Sequence, residues 1–135
     1  MTPRRKLAAA NPALRGAIFY CGLALMAGGL AVRLWAIRTL GRYFAPDVSL
    51  GQDHRLVDRG LYRLIRHPSY TGTFMTILGY GLALTNAVSL AVMLAIPGLA
   101  YGYRMRVEER ALIEAFGDDY RAYARRTKKI IPYLL

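Results

Sequence analysis

Thirty-five consecutive residues, 69–103, contain no Asp, Glu, Lys, Arg or His. Soluble helices do not stay bare of charge for that length, so this absence excludes a soluble basic protein and points to the membrane. Acid is scarce as well: eight Asp and Glu stand against nineteen Lys and Arg, a net charge of +11. That excess suits either nucleic-acid phosphates or anionic lipid beside membrane helices. With 55% hydrophobic residues gathered into clean blocks, lipid is the reading and nucleic acid is excluded. The single cysteine, Cys21, excludes an intramolecular disulfide, and its apolar setting marks it as a small packing residue. Two histidines and that cysteine, widely spread, offer no metal-ligand spacing. There are no internal repeats and no low-complexity segments.

What is present is ordered along the chain. Its 135 residues leave room for one domain, 1–135. Residues 1–13 form a basic tail, loosely like a signal n-region. The long apolar stretch behind it lacks a small-residue cleavage site before Arg33, so it reads as a retained helix. That helix runs from about Pro12 to Leu40, with 14–40 as the first transmembrane segment. Arg33 is placed to snorkel and Trp35 to sit at the interface. Ala24 and Gly28, four apart, form a small-xxx-small pair for close helix approach.

Residues 41–66 form a loop followed by an interfacial element. There Arg55, Arg59, Arg63 and Arg66 recur at helical spacing, although Gly60 weakens a continuous helix. The first three arginines read as headgroup anchors. The uncharged run then splits at Thr85-Asn86 into two arms, 67–84 and 87–103, each ~25 Å long at ~1.5 Å per residue. A single helix of that length would overshoot a bilayer, so a hairpin is expected. Pro97-Gly98 is expected to kink its second arm. Gly79-x-Gly81 lacks the rest of a dinucleotide loop and carries no function. Residues 104–135 supply amphipathic helices, with a stop at Gly117 and a new start at Asp118.

The fold class is therefore all-α integral membrane, with about three transmembrane helices. Seven Lys/Arg in 33–66 and eight in 104–129, against none at the Thr85-Asn86 tip, put both basic segments in the cytosol. The N-terminus then lies outside, against its own four basic residues.

This topology brings two polar clusters to one membrane face. One is Arg66-His67-Pro68-Ser69-Tyr70 within 54–72, which packs four Arg, two His and two Tyr into nineteen residues. The other, 104–110, carries Glu108-Glu109. Pro68 leaves His67 outside the helix, where its ring can hydrogen-bond a ligand. Tyr70 offers an aromatic face and a hydroxyl, and Gly72 admits a bulky group. Paired carboxylates suit a ribose diol, an ammonium or a sulfonium, and arginine suits a carboxylate or phosphate. An interfacial Arg–Glu network that merely closes the hairpin has the same spacing.

Taken together, these residues resemble the isoprenylcysteine carboxyl methyltransferase family, within the group that includes phospholipid methyltransferases. The resemblance begins at Val32-Arg33-Leu34-Trp35-Ala36 and Leu40-Gly41…Phe44. It continues through His54-x-Leu56-Val57-x-x-Gly60-x-Tyr62 and Arg66-His67-Pro68-Ser69-Tyr70-x-Gly72. After the hairpin come Glu108-Glu109-x-x-Leu112, Phe116-Gly117-x-x-Tyr120-x-x-Tyr123 and Ile131-Pro132. It covers residues 30–133, in order and with the family's spacing.

The resemblance implies S-adenosylmethionine as methyl donor, bound at the cytosolic face by Leu56, Val57, His67, Tyr70, Gly72, Glu108 and Glu109. It implies Arg104 and Glu108 as the residues that position a lipidic or prenylated acceptor. A carboxylate acceptor needs alignment and water exclusion; an amine needs deprotonation, for which Glu108 is the candidate. Fewer spanning segments than several relatives leaves part of the lipid-binding wall missing or supplied by a second copy. Three other functions share parts of the pattern. They are phospholipid-type N-methylation, an NADPH-dependent sterol-reductase-like enzyme using Arg63 and Arg66 for the extra phosphate, and a non-catalytic scaffold.

Overall fold

The computed structural model describes residues 11–41, 56 and 58–131. Residues 1–10 of the basic tail, the 42–55 stretch, Val57 and Pro132 fall outside them. Four α-helices follow in order among the described residues: α1 (Pro12–Leu40), α2 (Pro68–Leu84), α3 (Ala87–Phe116) and α4 (Asp118–Arg126). Among the described residues there is no β-strand, only an isolated parallel bridge between Ile65 and Lys128.

Local chemistry sets the boundaries. The Asn11 side chain accepts from Ala13 N–H at 3.0 Å ahead of Pro12, and Gly41 at φ +57° closes α1. Pro68 opens α2, where its missing N–H leaves no helical bond unmade. Thr85, left-handed at φ +54°, ends α2, and Asn86 caps α3 through Val88 N–H (3.1 Å) and Ser89 N–H (3.3 Å). The hairpin therefore turns at Thr85-Asn86. The 30-residue α3 runs without interruption through Pro97 and past Arg104 to Gly117, whose φ of +57° stops it. In α4, Asp118 and Asp119 occupy the first turn and Arg125 and Arg126 the last, which complements the helix dipole.

α1 and α2 run antiparallel, backbone against backbone. A Cβ on Gly22 would lie 2.6 Å from the Gly79 carbonyl oxygen, and one on Gly29 would lie 2.6 Å from that of Gly72. The contact is reciprocal: a Cβ on Gly72 would meet the Gly29 oxygen at 2.5 Å and the Arg33 nitrogen at 2.7 Å. The seam thus repeats every seven residues, the spacing of shallow-angle helix packing. This corrects the expectation for Ala24 and Gly28. Ala24 is exposed, and a Cβ on Gly28 would only touch Met75. Cys21 is exposed rather than packed. Arg33 does not snorkel freely; its Nη1 donates to Thr73 Oγ1 (2.7 Å) and lies 3.3 Å from Ser69 Oγ. Gly79 faces α1 and Gly81 faces Leu90 of α3, so both serve packing.

The segment before α2 also departs from expectation. In place of a helical arginine ladder, residues 60–63 form a single 3-10 turn, entered through Gly60 at φ +60°. Arg59 donates to Thr39 O at 3.3 Å, Arg63 is exposed, and Arg55 lies outside the described residues.

The small buried core comprises Ala36, Tyr62, Ile65, Tyr70, Tyr120 and Tyr123. It gathers where the end of α1, the start of α2 and α4 meet. Elsewhere the apolar surface is bare: Phe19, Leu23 and Leu30 on α1, and Val92, Ile96 and Leu99 on α3, are exposed. α1 and α3 are both long and apolar enough to cross a membrane. Bare apolar helices of that length are stable in hydrocarbon and unfavourable in water, which supports an integral membrane protein.

Candidate active site

The site is built at the polar end of the bundle by a strap. Arg66 N–H donates to Lys128 O (2.7 Å), His67 N–H to Lys129 O (2.9 Å) and Lys128 N–H to Leu64 O (2.9 Å). The Thr71 hydroxyl ties the strap to α2 through Ile130 O at 2.6 Å. Tyr123 holds α4 against the 3-10 turn by donating to Tyr62 O at 2.7 Å. Burial pushes both phenols above their ordinary range, so they remain neutral donors.

Within this frame the start of α2 meets the middle of α3. Arg66 Nε donates to Glu109 Oε1 at 2.8 Å, while its Nη1 donates to Ala124 O (2.8 Å) and Thr127 O (2.9 Å). His67 is buried at the N-cap of α2, with Nε2 at 3.1 Å from Glu109 Oε1 and Nδ1 at 3.7 Å from Glu108 Oε2. The Tyr70 hydroxyl donates to Glu108 Oε1 at 2.6 Å, and Arg104 Nε reaches the same oxygen at 2.9 Å. Burial pushes the Glu109 carboxyl up. The hydrogen bonds from His67 and Arg66, with the Arg66 charge, outweigh it and hold the pKa at about 2. Glu109 is therefore anionic at neutral pH.

An aromatic line leads away from the carboxylates. The His67 and Tyr70 rings stack at 5.7 Å, Tyr70 and Tyr101 lie 4.8 Å apart, and Phe74 meets Tyr101 edge-on at 5.9 Å.

Of the residues singled out from the sequence, His67, Tyr70, Arg104, Glu108 and Glu109 converge in one bonded cluster. Gly72 stands apart: the group that approaches it is the backbone of α1. Leu56 is half-buried, and Val57 lies outside the described residues. Sequence reasoning missed Tyr101, although Tyr101, Arg104 and Glu108 follow the i, i+3, i+7 spacing of a single helix face. It also missed the Arg33 bonds to Ser69 and Thr73, which need a folded α1–α2 pair to be visible.

Comparisons with known proteins place the chain in a family. Residues 22–114 match the isoprenylcysteine carboxyl methyltransferase (ICMT) family. The protein-S-isoprenylcysteine O-methyltransferase of Saccharomyces cerevisiae is 36% identical over 115 residues, covering 84% of this chain and 48% of that protein. A probable protein-S-isoprenylcysteine O-methyltransferase of Oryza sativa subsp. indica is 29% identical over 119 residues, covering 87% and 62%. A solved structure of the eukaryotic intramembrane Ras methyltransferase ICMT superposes with a TM-score of 0.80 at 30% identity. It covers 90% of this chain and 45% of that one. The chain thus spans about half to three-fifths of the length of these curated relatives. With more than half of its length matched and the fold shared, it belongs to the isoprenylcysteine carboxyl methyltransferase family.

Proposed function

We propose that this chain is an S-adenosylmethionine-dependent membrane methyltransferase that methylates the carboxylate of an isoprenylcysteine-like lipidic acceptor. The observation that carries this reading is the state of the two carboxylates. Glu108 is held through Oε1 by Tyr70 and Arg104, and Glu109 through Oε1 by His67 and Arg66. Both are oriented by their partners; the second oxygen of Glu109 is offered to a ligand, and that of Glu108, 3.7 Å from His67 Nδ1, is shared between that ring and the ligand.

The residues fit the donor. Its ammonium and ribose hydroxyls need fixed acceptors, which the two Oε2 atoms supply. Its sulfonium and adenine need aromatic faces, which Tyr70 and Tyr101 supply. Leu56 is the backbone contribution the resemblance implies among the described residues, and Gly72 contributes by letting α1 dock behind α2. When bound, S-adenosylmethionine supplies an activated methyl group on a sulfonium that departs as a neutral thioether. Arg104 and Glu108 position the acceptor, whose carboxylate is already nucleophilic, so the chain's task is alignment and exclusion of water.

In this reading α1, α2 and the 87–103 part of α3 cross the bilayer, and the polar end faces the cytosol because its basic residues stay inside. Membrane lipid surrounds the bare helix faces. The reductase alternative is weaker: Arg66 already serves Glu109 and two carbonyls, so it is not free for a phosphate.

The test is methyl transfer from labelled donor by the detergent-purified protein. A farnesylated cysteine with a free carboxylate is compared with its amide and with phosphatidylethanolamine. Label on the free carboxylate alone is the expected result. Label on the amine lipid would move the reading to N-methylation, and NADPH-dependent reduction of a sterol without methyl transfer would replace it.

A further inference from the structure

The contact between α4 and the active-site frame is satisfied bond by bond, with one exception. Tyr123 donates to Tyr62 O, Thr127 Oγ1 donates to Tyr123 O at 2.7 Å, and Arg66 Nη1 reaches two carbonyls. Tyr120 is 1% exposed, yet its hydroxyl is the one buried side-chain polar atom among the described residues with no hydrogen-bond partner. Buried polar groups are ordinarily paired, because an unpaired one costs stability. A phenylalanine would fill the same space without that cost.

The placement of Tyr120 suggests what the hydroxyl is for. Tyr120, Ala124 and Thr127 follow i, i+4, i+7 spacing along α4 and its C-cap. The carbonyls of Ala124 and Thr127 are those that Arg66 grips. The same guanidinium holds Glu109 Oε1 through Nε. Tyr120 therefore lies on the α4 face that meets the Arg66–Glu109 pair. The Glu109 charge, after burial, is the next cause raising its phenol above the ordinary range. The second oxygen of Glu109 has a lone pair to accept what the Tyr120 hydroxyl has to donate.

We propose that Tyr120 is a positioning residue for the methyl-donor site, its hydroxyl taking one lone pair of the second oxygen of Glu109 when donor is bound and leaving the other to the ligand. The inference rests on the methyltransferase reading and deepens it. With donor seated beside Glu109, the phenol completes the shell of the carboxylate. It keeps Glu109 anionic and turned toward the ligand without touching the ligand itself.

The experiment compares wild type with Tyr120→Phe by calorimetric titration of the detergent-purified protein with S-adenosylhomocysteine across pH, beside thermal unfolding without ligand. Tyr123→Phe is the structural control. Tyr120→Phe is expected to bind five- to tenfold more weakly, with its acid limit of binding moved to higher pH and its Tm unchanged or raised. Tyr123→Phe is expected to lose Tm while its Kd stays within twofold of wild type. A Tyr120→Phe protein that binds like wild type, or that loses only Tm, overturns the inference and leaves the donor site standing. Failure of folded wild type to bind overturns both.

Discussion

α1 and α3 flank the same helix and meet it in opposite ways. α1 meets α2 through glycine backbones, at Gly22 with Gly79 and Gly29 with Gly72, where a single added Cβ lies 2.5–2.6 Å from a carbonyl oxygen. α3 meets α2 through side chains, namely Leu90 over Gly81, Tyr101 against Tyr70 and Phe74, and Arg104 with Glu108 at Tyr70. No residue of α3 is buried. Backbone packing leaves no room to adjust, whereas side-chain packing leaves rotamers free to open around a ligand. Every carboxylate of the candidate site stands on the adjustable side. The α1–α2 pair is the fixed wall that holds His67 and Tyr70 in place for it.

Breaking the fixed wall should have the largest effect. Gly29→Leu drives a side chain into the Gly72 carbonyl and Thr76. The expected loss is ~3 kcal/mol or more, read as a large fall in Tm in detergent together with loss of ligand binding. A Tm close to wild type would mean that the helices slide apart at little cost, and the contrast between the two walls would fail.

A middling effect is expected from acid. Glu109 is held at about 2, below the ordinary ~4.3 of an unfolded glutamate. A depressed carboxylate contributes stability that is complete above the unfolded value and is lost as pH falls from there through the folded value. Thermal unfolding between pH 5 and pH 2 should therefore show a loss of order 2 kcal/mol. Glu109→Gln should flatten that dependence. An equally steep profile in the variant would place the acid-sensitive group elsewhere.

The smallest effect sharpens the comparison from the outside. Leu99 on α3 is 79% exposed, so Leu99→Ala should change stability by less than ~0.5 kcal/mol. A large loss would reveal a protein surface covering α3, in keeping with a second copy. Crosslinking through the exposed Cys21 and a cysteine placed at position 99 would locate it.

Much of this architecture is legible in the residues because it is written in local terms. Absence of charge, Pro68, Thr85-Asn86 and Gly117 mark helix spans and ends through backbone chemistry alone. The meeting of Arg66-His67 with Glu108-Glu109 follows once the hairpin is drawn. What escapes is register. Gly22 with Gly29 and Ala24 with Gly28 are both plausible small-residue faces until the partner helix selects one. The regular spacing of Arg59, Arg63 and Arg66 suggests a helix. The positive φ at Gly60 and the pull of Glu109, Ala124 and Thr127 on Arg66 instead favour a tight turn. Tyr101 and Tyr120 matter through partners distant in sequence, which spacing alone does not display.

The central claim is that Glu108 and Glu109, each pinned through one oxygen, hold the methyl donor with the other. Its most direct test is calorimetric titration of the detergent-purified protein with S-adenosylhomocysteine, alongside Glu108→Gln, Glu109→Gln and an NADPH control, with Tm recorded for each. The expected result is binding by wild type, weakened at least tenfold in both variants at Tm values that still report a folded protein, and none with NADPH. Wild-type affinity in both folded variants, or preference for NADPH, would contradict it.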